Sequence, residues 1–522
     1  MAKNKKPLKS NSKAGQVVQS NRSKKPEVNK PLHPWIEAIL RPQSIFLFLA
    51  VVFGLLFTFT LPPFQVPDEA AHMFRAYQLS KFDLKVDTQS NVYGNYLPPS
   101  PDNYVAGAYL PASFDSVQMK FHYLKFQANN KTSKKAIDEA CAIQVEPEKK
   151  KFTEITAGAY SFFNYIPQLP AIVIGRVFQL NVLPLFYLGR LFALAFYILC
   201  VYFSIRIIPF GKNILLAVGL IPISLTLAGS YSGDCVILSF TFLAVALSLY
   251  HMTRTVNSLK NGKLIFLITI IALLGLLKPI YFPIILMLLL IPSKSFEQKK
   301  EYYLTLLIPF SISIILIVVW QYVTSQTVVA NAALIGKDII QTPSYQFHRI
   351  LANPFILFDI LTQTIQAKGV FYYKSLIGIL GYLDTWLPKW IYNAYYVLLI
   401  AVALLDYTKS YTFSMLQRSL IVFMSVGIFL GTIFIMFILD GIESKDTLVA
   451  QGVQGRYLIP PLLTILFALY GILPFNKSFQ WFNKFMPLLI GIVCFVVLYQ
   501  TEYAMYLRYF VEGNEYAKYI LG

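Results

Sequence analysis

Asp68, His72 and Arg75 stand at i, i+4 and i+7 in the stretch Pro67-Asp-Glu-Ala-Ala-His-Met-Phe-Arg75. On a helix, that spacing gathers an acid, an imidazole and a guanidinium on one face. A proline followed by two acids is a good helix start, so Asp68 and Glu69 fall where a helix begins. Such a dyad suits a general base or a metal ligand. It equally suits an N-terminal cap with a surface ion pair.

Four other segments place polar residues at the ends of apolar runs. Gly229-Ser-Tyr-Ser-Gly-Asp234 sets Asp234 at a helix start, as a ligand-facing acid or a plain cap. Lys278-Pro-Ile-Tyr281 fixes a lysine beside a proline, either for a phosphate oxygen or to snorkel toward headgroups. Gly378-Ile-Leu-Gly-Tyr-Leu-Asp-Thr-Trp-Leu-Pro388 carries Asp384 and Trp386 in what reads as a re-entrant or interfacial turn. Gln451-Gly-Val-Gln-Gly-Arg-Tyr-Leu-Ile-Pro460 brackets Gln454 with glycines, so the backbone can approach a ligand closely. It also puts Arg456, whose planar fork fits two phosphate oxygens, at the mouth of a helix. The five histidines (His33, His72, His122, His251 and His348) and the four cysteines make no metal-binding pattern, and no ATP-binding or serine-triad signature occurs.

The elements that must hold these residues are membrane helices. Of 522 residues, 56% are hydrophobic, 16% aromatic and only 14% charged, with mean hydropathy +0.55. Soluble domains carry about 25% charged residues, so a water-soluble enzyme is excluded. Apolar runs at 44–63, 187–205, 213–231, 236–251, 264–277, 280–292, 304–323, 389–405, 419–439, 457–474 and 486–504 predict an all-α polytopic membrane protein with about eleven transmembrane helices.

Charge supplies an orientation. Residues 1–43 hold ten Lys/Arg against two acids, a composition expected of a disordered basic tail. The 64–186 segment holds twelve Lys/Arg and eleven Asp/Glu. By the positive-inside rule the tail is cytoplasmic, 44–63 is the first transmembrane helix and 64–186 is a large extracytoplasmic loop with interfacial helices. Transmembrane helices then fill 187–323 and 389–504. A second extracytoplasmic loop spans 324–388, and 505–522 is an extracytoplasmic tail. The short connections on the cytoplasmic side are basic. The net charge of +19 therefore reflects topology and anionic lipid rather than nucleic acid. The five polar segments all fall on the extracytoplasmic side of the plasma membrane.

Together these segments resemble a large bacterial family of polytopic membrane proteins of unknown function. The resemblance rests on Pro-Asp-Glu-x-x-His-x-x-Arg at 67–75, Tyr165-Ile-Pro-Gln168, Gly189-Arg190, Tyr231-Ser-Gly-Asp234, Lys278-Pro, Gly381-Tyr-Leu-Asp-Thr-Trp-Leu-Pro388 and Gln454-Gly-Arg-Tyr457, and covers about 61–465. That family is in turn similar to the GT-C glycosyltransferases, which use sugars linked to polyprenyl phosphate. The resemblance implies a GT-C-like bundle with a long first extracytoplasmic loop, Asp68 at the catalytic acid position and Glu69 as its neighbour.

The expected activity is an inverting glycosyltransferase of the EC 2.4 class. It would move a sugar from a polyprenyl-phosphate-linked donor to a surface polysaccharide, teichoic acid or glycolipid. Asp68 is the expected base, with Glu69 and His72 tuning or orienting it. Lys278, Arg456 and Arg75 are expected to hold the donor phosphate, and Asp234, Tyr281, Asp384, Trp386 and Gln454 to contact substrate. Glu69 or Asp234 is the expected ligand if a divalent cation, Mg or Mn, takes part. Two alternatives stay open: a transporter or flippase of a lipid-linked precursor, and a non-catalytic scaffold of the cell envelope.

Overall fold

The computed structural model describes residues 33–90, 104–256, 258–324, 343–406, 411–439, 448–473 and 480–521. Most of the expected basic tail, 91–103 of the first large loop and 325–342 of the second lie outside the described residues. The chain divides into two units, 1–39 and 40–522. In the first, Pro34–Ile39 is a short helix.

The second unit is mostly helical. Six of its helices are long and apolar enough to cross a bilayer: Pro42–Thr60, Val182–Ile207, Asp234–Met252, Lys299–Val323, Met415–Leu439 and Lys484–Phe510. A seventh candidate is the pair Pro343–Ala352 and Ile356–Gly378, bent by 119° at its break. The other five expected crossings fall on shorter pieces. Residues 213–231 divide into Lys212–Gly219 and Pro222–Ala228, because Pro222 cannot donate into the helix before it and starts a new one. Pro279–Leu290 winds as a 3-10 helix around Pro283. Gly262–Leu277 and Lys389–Leu405 have 16 and 17 residues, and Gly455–Leu458 leads into Ile459–Leu469.

Asp234–Met252 is the central helix. Its apolar window is 94% buried, against 17% for Lys299–Val323, so one is enclosed by protein and the other presents its side chains outward. Gly54, Gly189 and Gly219 allow close packing around this centre: an added Cβ would press on Leu194, Tyr231 and Val201 respectively.

The 64–186 segment departs from the all-α expectation. It holds a three-stranded antiparallel sheet in the order β1 (Asp87–Ser90), β2 (Tyr104–Pro111), β3 (Lys150–Glu154), with Gly107 opposite both Asp87 and Glu154. In β2, residues 106–108 and 110–111 are buried while Tyr109 is exposed. Two alanines and a glycine give this strand almost no hydropathic contrast to read from the sequence. Helices Glu69–Leu79 and Ala112–His122 pack on this sheet, and Gln168–Val177 packs on Glu69–Leu79 and Val182–Ile207. Gln168–Val177 covers the apolar patch 166–180 and leaves Val173, Ile174, Val177 and Phe178 exposed.

Candidate functional site

The chain passes from the first long helix into Leu61-Pro-Pro-Phe-Gln-Val-Pro-Asp68, and the next helix begins at Glu69. Asp68 occupies the N-cap position in a left-handed conformation, φ 62° and ψ 9°. Phe64, four residues earlier, also has positive φ (63°). Left-handed backbone is costly for residues other than glycine, least so for Asp and Asn. Strain of this kind gathers at functional sites. The Asp68 carboxylate makes no capping hydrogen bond. Its side chain is 51% exposed, and Oδ2 lies 3.6 Å from Nη2 of Arg456. Asp68 therefore holds a cap position without using its side chain as a cap.

Glu69 has the opposite environment. Its side chain is fully buried, with Oε2 2.7 Å from Arg190 Nη2 and Oε1 accepting from Arg190 Nε at 2.9 Å and from the Tyr231 N–H at 3.1 Å. Arg190 also donates to the carbonyls of Thr58, Leu61 and Pro62 and lies over the Phe186 ring. This assembly locks the end of the first long helix, the Val182–Ile207 helix and the 229–234 turn to the start of Glu69–Leu79. Both Glu69 oxygens are held by these donors, so it is a fixing residue for Asp68.

His72 lies one turn beyond Asp68, as the spacing predicts. Nδ1 is 2.7 Å from the Tyr165 hydroxyl, and the ring meets Tyr160 edge-on. Burial pushes its pKa down to about 4, against the opposing pull of Asp68, so the imidazole is neutral near pH 7. Arg75 turns elsewhere. Its nitrogens donate to the Tyr160 and Leu84 carbonyls and to Gln78, and burial lowers its pKa to about 10. The expected phosphate role thus does not fit Arg75, which pins the segment after its own helix.

Asp234, Lys278 and Arg456 come together from three distant turns. Asp234 Oδ2 is 3.2 Å from Arg456 Nε and Oδ1 is 3.7 Å from Lys278 Nζ. The ammonium of Lys278 sits 3.3 Å from the centre of the Tyr457 ring, and Tyr281 donates to the Tyr457 carbonyl at 3.0 Å. Lys278 Nζ, Arg456 Nε and Nη1, and Gln454 Oε1 are buried without a hydrogen-bond partner. Buried polar groups are nearly always hydrogen-bonded, so this ionic centre is held by charge and ring contacts with hydrogen-bonding capacity left over. Gly455 sets this geometry: its N–H donates to Ser375 Oγ at 3.0 Å, and a Cβ there would collide with the Leu376 backbone. A narrow cleft bordered by Pro67, Leu227, Ser375, Leu383, Gln454 and Arg456 opens beside the group.

Asp384 and Trp386 belong to a different structure. Asp384 Oδ2 accepts from Arg508 Nη2 at 3.1 Å and from the Phe126 N–H at 3.0 Å. Arg508 further donates to the carbonyls of Leu124 and Asn130. Trp386 N–H donates to the Tyr516 hydroxyl, and Lys374 lies 5.1 Å from its ring. Asp384 ties the chain together rather than reaching for a substrate, while Trp386 is tied through its backbone. A divalent cation does not fit the acids present. Glu69 is fully engaged, Asp234 stands between two cations, and no three His, Cys, Asp or Glu side chains cluster among the described residues.

The family model for predicted membrane proteins designated DUF2142 matches residues 51–466, which span every residue of this ionic centre. The chain belongs to the DUF2142 family. No curated protein and no solved structure matches it. Within this DUF2142 chain, the residues beyond the expected set are Tyr160, Tyr165, Arg190 and Tyr457, all beside or within segments noted in the sequence, and Arg508, for which the sequence carries no local signal.

Proposed function

We propose that this protein is a membrane glycosyltransferase with a GT-C-like bundle of about eleven crossings, acting at the outer face of the plasma membrane on a polyprenyl-phosphate-linked sugar. The observation that carries the reading is a half-exposed, uncapped Asp68 carboxylate beside Arg456, which Asp234 joins to Lys278 in one buried ionic centre. Asp68 takes the proton of an acceptor hydroxyl as that oxygen bonds to the anomeric carbon. The bond from that carbon to the phosphate oxygen breaks, and the phosphate leaves with the electron pair. Arg456 and Lys278 stabilise the departing charge, which is largest in the transition state. One displacement inverts the anomeric centre, so no second acid is needed. His72, neutral and held by Tyr165, adds no charge of its own beside the base. The acceptor is a surface polysaccharide, teichoic acid or glycolipid.

The test is genetic and chemical. A deletion strain is restored with wild type or Asp68→Asn at equal membrane level, and the sugar composition of purified surface polymers is measured. The expected outcome is a sugar lost in the deletion and restored by wild type alone. Restoration by both versions removes Asp68 from the chemistry. No change in any sugar removes the transferase reading.

A further inference from the structure

Asp234 and Glu69 are both buried acids beside an arginine, and they are held in different ways. Glu69 is gripped by hydrogen bonds on both oxygens. Asp234 meets its cations at ion-pair range, with Oδ2 3.2 Å from Arg456 Nε and Oδ1 3.7 Å from Lys278 Nζ, and neither nitrogen makes a hydrogen bond. Asp234 begins the Asp234–Met252 helix, and its backbone N–H donates to Ser232 Oγ at 3.2 Å. The carboxylate can therefore turn away without breaking a backbone bond. Its side chain is 10% exposed and that of Lys278 19%, so this flank of the centre reaches solvent.

The two cations do not depend on Asp234 for their positions. Lys278 Nζ rests 3.3 Å from the centre of the Tyr457 ring, and its carbonyl accepts from the Tyr281 N–H at 2.9 Å. Arg456 Nη2 donates to the Tyr457 hydroxyl at 3.4 Å. Arg456 also stands on the Gly455–Leu458 turn, which the Gly455 N–H fastens to Ser375 Oγ. The Tyr281 hydroxyl holds the Tyr457 carbonyl. If the carboxylate leaves, a guanidinium and an ammonium stay facing the same place. A tetrahedral phosphate, with several oxygens on one atom, can bridge such a pair. A phosphate monoester carries about −1.5 to −2 charges at pH 7, more than a carboxylate, so it can displace Asp234.

We propose that Asp234 is the resident anion of a phosphate site. It stands between Arg456 and Lys278 while the site is empty, and it gives way to a phosphate monoester. Its return helps to expel that ligand. This rests on the phosphate role given to Arg456 and Lys278 above, and it turns the expected substrate contact of Asp234 into competition with substrate. A phosphodiester donor has one ionisable oxygen, and the monoester left after transfer has two. The product therefore grips these cations harder than the donor, and a competing carboxylate acts most at product release.

The experiment uses the full-length protein in detergent micelles. Wild type, Asp234→Asn, Asp68→Asn and Arg456→Gln are titrated with farnesyl phosphate, inorganic phosphate or farnesol at fixed ionic strength. Affinity is read from the shift in thermal midpoint. Farnesyl phosphate is expected to bind Asp234→Asn about tenfold or more tighter than wild type, the worth of one charge-assisted contact. Asp68→Asn removes a charge from the same arginine but not from between the two cations. Its gain should stay under about fivefold, the worth of a half-exposed ion pair. Arg456→Gln should lose the binding, and farnesol should move no midpoint. An equal gain with inorganic phosphate assigns the site to free phosphate, and a gain with farnesyl phosphate alone assigns it to a lipid phosphate; either supports a resident anion. Asp234→Ser, a favourable residue at a helix start, replaces Asp234→Asn if that variant fails to accumulate. Loss of both variants, even when extracted in phosphate, makes Asp234 structural and overturns the proposal. Unchanged or weaker binding in Asp234→Asn, or an equal gain in Asp68→Asn, also overturns it, while binding to wild type leaves the phosphate site standing. If neither wild type nor Asp234→Asn responds to either phosphate, the phosphate role of Arg456 and Lys278 falls, and the transferase reading with it.

Discussion

Two arginine–carboxylate clusters in this protein differ in one respect that separates structure from chemistry. At Glu69–Arg190 every donor nitrogen and both oxygens have partners, and both side chains are fully buried. At Arg456, the contacts to Asp68 and Asp234 are 3.6 and 3.2 Å, and Nε and Nη1 have no hydrogen-bond partner. A saturated pair has nothing further to bind and acts as a rivet. An unsaturated pair keeps buried donors that can take further hydrogen bonds from an anion. The Asp384–Arg508 pair sits nearer the first type, since Arg508 also holds two backbone carbonyls.

Breaking the saturated pair is the most damaging change. Glu69→Gln leaves the Arg190 charge buried without compensation, at a cost of about 3–5 kcal/mol. The expected readout is a sharp loss of protein from the membrane, or a large drop in its thermal midpoint in detergent. A stable Glu69→Gln protein would erase the contrast between the clusters.

His72 sharpens the comparison through pH. Its pKa falls from 6.5 in the unfolded chain to about 4 in the folded one because of burial. Between those values the unfolded chain holds the proton and the folded chain does not, so stability declines as pH drops from 6.5 toward 4. At 1.36 kcal/mol per pH unit, the full effect is about 3 kcal/mol. Thermal midpoints between pH 4 and 7 should flatten in His72→Asn, and an unchanged slope would place the acid sensitivity elsewhere. Asp68, Asp234, Lys278 and Arg456 all act on this imidazole, so the comparison belongs in a single buffer series.

Asp384→Asn tests the intermediate pair. It weakens a charge-assisted bond to Arg508 and should cost about 2 kcal/mol, read as a lower thermal midpoint with the Asp68-dependent sugar still present. The smallest effect on folding belongs to Asp68→Asn. With no cap bond and half its side chain exposed, stability should move by under about 0.5 kcal/mol, although activity is lost. A large drop in midpoint would make Asp68 structural after all.

Much of the frame was legible because hydropathy is a local property. All six long apolar helices lie over runs that the sequence marks out. The ionic centre was legible in its parts, since Asp68, Asp234, Lys278 and Arg456 each stand out at the end of an apolar run. What the sequence could not do was separate Asp68 from Glu69. Two adjacent acids look alike until a partner 121 residues away takes one of them. Arg75 was misjudged for a related reason. Helical spacing puts it near the face of His72, but loop carbonyls that no periodicity reveals capture its nitrogens. Asp384 looked like a substrate contact because its partners, Phe126 and Arg508, lie 258 and 124 residues away. The sheet was hidden by the small residues of β2.

The bonds from Arg508 to Leu124 and Asn130, and from the Thr132 N–H to the Tyr509 carbonyl, also have a consequence in time. Asn130 leaves the ribosome 378 residues before Arg508. At about 5–20 residues per second, the loop that carries Phe126 waits roughly 20–75 seconds for the helix that fastens it. During that interval Glu69 and Arg190 are both outside the ribosome, while the 124–132 loop still lacks its fastening to Arg508. A nascent protein interrupted before Arg508 would lack that fastening, and its loose loop would be open to the proteases that clear incomplete chains.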